Sequence, residues 1–199
     1  MRPDFQKRVM DLTLLAVALP VVLPLALASA LAIRLSSPGP ILFAQLRTGK
    51  DGQRFRMFKF RTMVRNAGEI KGQLAHLNIL EPPDFKIPDD PRITSVGRVL
   101  RSTSLDELPQ LLNVARGEMS LVGPRPTSFT PETYDLWHAR RLEAVPGLTG
   151  LWQISGRSDV GYRQRVLLDR VYVQKWSSLK DIGIILRTVP VVLRSRGSY

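Results

Sequence analysis

From Leu12 to Ile33 the chain runs 22 residues without a charge, and only Thr13 and Ser29 interrupt the apolar side chains. As a helix this stretch is about 33 Å long, enough to cross a bilayer core. It exceeds the usual signal-peptide core, and Ala28-Ser29-Ala30 is the nearest approach to a cleavage site. Pro20 and Pro24 sit in its middle. Each removes an amide donor and crowds the preceding turn, so a helix–break–helix is expected. Basic residues flank both ends: Arg2, Lys7 and Arg8 before, then Arg34, Arg47 and Lys50 after. Such flanks stay on the cytoplasmic side. A re-entrant helix that dips in and returns satisfies both, whereas a straight span kinked at proline satisfies one. The residues alone leave both open.

The other end is apolar as well. Between Leu179 and Leu193 the only cations are Lys180 and Arg187, and with Arg194 they recur every seven residues, which places them on one stripe of a helix. A narrow basic stripe suits an amphipathic interfacial helix at a membrane surface, over about residues 177–196. A core helix with one wet edge is the alternative, and Pro190 should kink or end either.

Between the ends the pattern is that of a soluble body. The breaker cluster Ser36–Pro40 divides residues 1–36, the membrane segment, from 37–199, the body. Ile41–Thr48 and Gln53–Met63 read as strands around the turn Gly49–Gly52, an antiparallel hairpin. The charges Arg54, Arg56, Lys59 and Arg61 change parity at Met57-Phe58, which predicts a bulge. A short helix is expected within Asn66–Asp90, and longer ones over Leu105–Val114, Thr133–Val145 and Asp159–Trp176. The class is helix-rich α+β. No strand–helix alternation supports a Rossmann-type sheet, and no Walker A or G-x-G-x-x-G string occurs.

Charge narrows the partners. Across 199 residues, 29 Lys+Arg against 17 Asp+Glu give a net charge of +12, which calls for an anion: nucleic acid, a membrane surface or a phosphorylated substrate. Without cysteine, and with only His76 and His138, disulfide scaffolds and thiolate or histidine metal centres are excluded.

The sharpest chemical string is Arg101-Ser-Thr-Ser-Leu-Asp106-Glu107-Leu-Pro-Gln-Leu. Ser104 and Glu107 have capping-box spacing, so one reading makes Glu107 a cap and Asp106 a complement to the helix dipole. Pro109 would then fall inside the helix, or the helix starts at Pro109 itself. The functional reading needs anion binders nearby. Seven basic residues lie between Arg47 and Arg65, Pro124 and Pro126 mount Arg125 rigidly, and Arg157 follows Gly156. Asp169 falls on a 4-3-4-3 stripe with Tyr162, Val166, Val173 and Trp176. If that stripe is buried, Asp169 needs an arginine partner; if Leu167, Leu168 and Val171 face inward instead, it is wet.

Taken together the strings resemble a known family. Lys7-Arg8-Val-Met-Asp11, Lys59-Phe-Arg-Thr-Met63, Asp90-Pro-Arg-Ile-Thr94, Ser104–Leu111, Leu121-Val-Gly-Pro-Arg-Pro126 and Pro146-Gly-Leu-Thr-Gly150 occur in the order seen in the bacterial sugar transferases, the monotopic polyprenyl-phosphate phosphoglycosyl transferases. The resemblance covers essentially the whole chain and is to the minimal catalytic form. It implies transfer of a sugar-1-phosphate from a UDP-sugar to undecaprenyl phosphate, releasing UMP, as the first membrane step of glycan assembly. It implies a re-entrant helix bent at a proline, here Pro24, preceded by Leu23 where the family often has serine. Asp106 matches the nucleophile of a covalent, ping-pong mechanism, and Glu107 the second acid, with Mg²⁺ held by one or both. Arg101, Arg125, Arg157 and, more weakly, Lys59 match phosphate binders. The implied location is the cytoplasmic face of the bacterial inner membrane, with lipids as partners and nucleic acid the least favoured anion. The competing readings are a membrane-anchored nucleic-acid-binding protein and a non-catalytic scaffold for glycan-assembly enzymes.

Overall fold

The computed structural model describes residues 3–79, 85, 87–129, 139–156 and 160–193. Helix α1 (Pro3–Ser36) runs through Pro20 and Pro24 without interruption, so no separate second helix comes after the prolines. Each proline removes one hydrogen bond, while the strong helix formers on either side keep the remaining ladder. At 34 residues the helix is about 51 Å long. Lys7, Asp11, Leu15, Ala18, Val22, Ala26, Ser29 and Ile33 form a buried or half-buried stripe along it. Near its start Leu15 packs with Met57, Val114 and Met119. Near its end Ala26, Ala30 and Ile33 pack with Phe60 and Leu100. Both ends are thus fastened to the same body. The opposite face exposes Phe5, Val9, Leu12, Val17, Val21, Leu23, Leu27, Leu31 and Leu35.

Strands β1 (Leu42–Thr48) and β2 (Arg54–Phe60) pair antiparallel in one unbroken register, from Leu42 opposite Phe60 to Thr48 opposite Arg54. The expected bulge at Met57-Phe58 is therefore absent. The charge parity changes for another reason: Lys59 shares the inward face with Met57 because carboxylates wait there, and Arg61, beyond the strand, turns to the Ser37 and Pro38 carbonyls. Past the strand, Met63 bridges to Ile93. Residues 69–71 and 75–77 form single 3₁₀ turns in place of the short helix expected there.

Helix α2 (Ser95–Ser102) is capped by Thr94, whose hydroxyl accepts from the Gly97 amide. A Cβ on Gly97 would lie 2.0 Å from the Thr62 carbonyl oxygen, so glycine there lets α2 sit directly on the chain leaving β2. The helix expected over Leu105–Val114 is instead a 3₁₀ turn, Leu105–Glu107, followed by α3 (Gln110–Arg116), with Pro109 at the junction. Strand β3 (Ser120–Val122) pairs in parallel with β4 (Gly147–Thr149), a second small sheet that the hydrophobic pattern does not announce. Of the helix expected over 133–145, residues 130–138 lie outside the described residues; the described remainder is a 3₁₀ turn, Arg140–Glu143.

One helical turn, α4 (Leu151–Ile154), precedes α5 (Tyr162–Gln174) and α6 (Ser178–Leu193). Val166, Asp169 and Tyr172 of α5 are buried while Leu167 and Val171 are exposed, which decides for the stripe containing Asp169. Helix α6 continues past Pro190, turns Asp181 and Ile184 inward and exposes Leu179, Ile182, Leu186 and Val189. Lys180 and Arg187 are exposed beside that apolar row; Arg194 lies outside the described residues.

Candidate active site

Four segments meet around the acid pair. Asp106 and Glu107 occupy the 3₁₀ turn between α2 and α3. Ser104, which opens the turn, has φ 58° and ψ 15° and makes no side-chain cap. A left-handed serine costs roughly 1 kcal/mol and marks a backbone held in place for the two acids beyond it. The capping box is therefore not formed. Glu107 instead accepts from Lys59 Nζ at 2.7 Å and from both Arg125 terminal nitrogens, Nη2 the nearer.

Long-range contacts fix each cation. Lys59 comes from β2, and Asn113 stitches that strand to α3: its Oδ1 accepts from the Phe58 amide at 3.1 Å and its Nδ2 donates to the Arg56 carbonyl at 2.8 Å. Arg125 lies just past β3, where glycine allows backbone to lie on backbone. A Cβ on Gly147 would fall 2.0 Å from the Gly123 nitrogen, and one on Gly150 2.4 Å from the Gly123 carbonyl. Gly123 N donates to Thr149 O and Gly147 N to Pro124 O, both at 2.9 Å. Pro124 and Pro126 are buried on either side of Arg125. Arg141 then secures the arginine from behind. Its Nη2 donates to the Arg125 carbonyl at 2.9 Å and lies 2.6 Å from Asp169 Oδ2. Asp169 is 1% exposed, and burial pushes its carboxyl up to about 7 against the pull of Arg141. Arg101 holds Thr62 Oγ1 at 2.9 Å and contributes positive potential at Asp106.

The two acids are shifted in opposite directions. For Glu107 burial favours the neutral form, but the charges of Arg125 and Lys59 and their hydrogen bonds outweigh it and hold the carboxyl well below the usual range. For Asp106, 9% exposed, burial wins and raises the carboxyl; Lys59 lowers it, Glu107 raises it, and Arg101 and Arg125 lower it. Among the described residues its nearest cation is Lys59 Nζ at 3.9 Å, and no donor hydrogen-bonds it. Glu107 is thus locked between two cations, while among the described residues nothing occupies the lone pairs of Asp106. Burial, charge and an uncommitted oxygen are what a carboxylate nucleophile requires.

Of the residues expected at the site, Asp106, Glu107, Lys59, Arg101 and Arg125 gather there, with Pro124, Pro126 and Asp169 supporting them. Arg157 lies outside the described residues. Sequence reasoning did not find Arg141 or Asn113. Asn113 had a signal, a lone amide within Leu111-Leu112-Asn113-Val114, whereas Arg141 is one of many surface-like arginines until Asp169 asks for a partner. Among the described residues no three acidic or histidine side chains cluster as a metal site.

The profile of the bacterial sugar transferases matches residues 2–195. An exopolysaccharide production protein, ExoY, of Sinorhizobium fredii is 46% identical over 97% of this chain and 88% of its own length. The UDP-glucose:undecaprenyl-phosphate glucose-1-phosphate transferase of Caulobacter vibrioides is 43% identical over 98% of this chain and 73% of its own. The undecaprenyl-phosphate galactose phosphotransferase of Salmonella typhimurium is 50% identical over 81% of this chain and 35% of its own. A match that spans nearly every residue, together with an acid pair set among arginines and a lysine, shows that this chain belongs to the bacterial sugar transferase family.

Proposed function

We propose that this chain, a phosphoglycosyl transferase by family, moves a sugar-1-phosphate from a UDP-sugar to undecaprenyl phosphate through a covalent intermediate on Asp106. The observation that carries this reading is the asymmetry of the acid pair: Glu107 is saturated by Lys59 and Arg125, and Asp106 is not. In the first step an Asp106 oxygen attacks the β-phosphorus. A new O–P bond forms, the bond to the bridging oxygen breaks, and UMP leaves with the electron pair. In the second, the acceptor phosphate oxygen attacks the same phosphorus and the Asp106 O–P bond breaks, which restores the carboxylate. Lys59, Arg101 and Arg125 offset the repulsion between carboxylate and diphosphate and hold the donor in line. Arg125 and Lys59 have donors beyond those given to Glu107, so they can bind phosphate without releasing it.

Mg²⁺ fits the site in one way. It needs one or two carboxylates plus phosphate oxygens. Asp106 has free lone pairs and Glu107 stands beside it, which suits an ion brought with the donor diphosphate rather than one held by protein ligands alone. Bound there, it would shield the diphosphate charge.

The same reading makes α1 re-entrant. Both ends of this uninterrupted helix pack on one body, and the outer face between them is apolar, which supports a helix that enters one leaflet with the body attached. The exposed row of α6 meets the same lipid, and the body faces the cytoplasm. A polyprenyl phosphate presents its headgroup at that plane.

The test is transfer itself. Purified protein with Mg²⁺, undecaprenyl phosphate and a panel of UDP-sugars should release UMP and form a lipid-linked sugar diphosphate with at least one sugar. Asp106→Asn should abolish this while the protein still folds and inserts. Full activity in that variant would remove the nucleophile assignment.

A further inference from the structure

We infer that Lys7, Arg8 and Asp11 are positioning residues for the active site, so that seating the membrane helix and assembling the catalytic segments are one event. As basic flanks, Lys7 and Arg8 would serve the headgroups and hang free. They do not. Lys7 Nζ donates to Asp181 Oδ2 at 2.6 Å and to the Tyr172 hydroxyl at 3.2 Å, and its side chain is only 13% exposed. Asp181 is fully enclosed and also accepts from Trp176 Nε1 at 3.0 Å. The Tyr172 hydroxyl faces both Asp181 Oδ1 at 2.8 Å and the Val122 carbonyl at 3.1 Å. Arg8 donates to the carbonyls of Val114 and Ala115, the latter at 2.7 Å. Asp11, buried and acidic, is a poor headgroup anchor on charge alone, and its Oδ1 accepts from the Leu121 amide at 3.2 Å.

The targets share one property. Leu121 and Val122 lead directly into Gly123-Pro124-Arg125. Val114 and Ala115 end the helix that begins just after Asp106-Glu107. A single stretch of α1 therefore grips the segment that carries the arginine and the far end of the helix that adjoins the acids. A displacement of 1 Å at reacting groups costs about a hundredfold in rate, so loosening this grip should be read at the chemistry.

Full-length protein in anionic lipid vesicles tests this with Asp11→Ala, which leaves the Leu121 amide unpaired, and Asp11→Asn, which keeps an acceptor. Lys7→Met and Lys7→Arg form a second pair. Three quantities are measured: UMP released from UDP-sugar without acceptor, hydrogen exchange of the amides in residues 118–126, and vesicle flotation. The expected result is a loss of UMP release of about tenfold to a hundredfold in Asp11→Ala and Lys7→Met, faster exchange in 118–126 in both, joined in Lys7→Met by the amides around Tyr172 and Asp181 that Lys7 contacts, and unchanged flotation. Asp11→Asn and Lys7→Arg should restore most of both readouts. Lost flotation with intact UMP release would overturn the inference in favour of headgroup anchoring. Unchanged UMP release and exchange, or exchange raised evenly over the whole chain in both loss variants, would overturn it too. The activity readout rests on the proposed transfer. If wild-type protein releases no UMP, that reading fails, and the exchange of 118–126 still decides the clamp.

Discussion

Two neighbouring carboxylates are shifted in opposite directions because the partners that hold one of them come from distant parts of the chain. Local spacing makes Ser104 and Glu107 look like a capping box, and the acid pair is legible as a site only through its surroundings. The cap loses to Lys59 and Arg125, whose approach no local rule encodes. The asymmetry sets the response to pH. In the proposed mechanism Asp106 must be ionised to attack, and burial raises its carboxyl, so UMP release should fall with decreasing pH in a window above the ordinary aspartate value of 3.8. Lys59 is the strongest influence opposing that rise, so Lys59→Met should move the acid limb of the pH–rate profile to higher pH. A limb that stays in place or moves to lower pH would contradict the arrangement. Arg125→Lys keeps the charge but loses the two-nitrogen grip on Glu107. It should slow UMP release by about tenfold or more, in proportion to a lost charge-assisted hydrogen bond of roughly 1.5–3 kcal/mol.

Glycine contacts and one buried ion pair join the short elements that carry these residues. The hairpin and the long helices are readable from periodicity; Asp169 is singled out by its stripe, but two faces of α5 compete for burial in the sequence and only the structure decides between them. The β3–β4 pair is not, because strands of three residues leave almost no pattern and their partnership rests on Gly123, Gly147 and Gly150. The sequence suggests a bulge that the hairpin lacks because an inward-facing lysine, drawn by carboxylates, imitates a shift of register. Gly147→Ala forces a Cβ into the Gly123 backbone, which cannot move aside as a side chain would. Overpacking of this kind costs about 1–3 kcal/mol. Thermal unfolding should therefore begin several degrees lower, and a melting curve identical to wild type would count against the close packing. Asp169→Ala leaves Arg141 buried without its counter-ion, a change worth roughly 3–5 kcal/mol. UMP release should drop with it, because Arg141 also holds the Arg125 carbonyl.

Across the molecule, the excess of positive charge divides between the two kinds of surface that meet here. Arginines and lysine surround the acid pair, Lys180 and Arg187 flank an apolar row on α6, and the outer face of α1 carries no charge through its middle. The apolar length of α1 is legible at once. Its fastening at both ends is not, since Lys7, Asp11 and Ile33 find their partners far along the chain. The chain lacks cysteine, so single cysteines can be placed without background. With Asp4→Cys and Ser36→Cys, a membrane-impermeant maleimide should label both in inverted membrane vesicles and neither in intact spheroplasts. Labelling of position 4 from the outside would show a span and contradict the re-entrant reading.

The proposed chemistry turns on a phosphosugar carried by Asp106. Protein incubated with Mg²⁺ and its UDP-sugar, without acceptor, should release UMP and gain the mass of one sugar phosphate. Peptide mass spectrometry should locate that mass at Asp106, and adding undecaprenyl phosphate should remove it. UMP that forms only when the acceptor is present, with Asp106 unmodified throughout, would mean direct transfer and contradict the covalent mechanism.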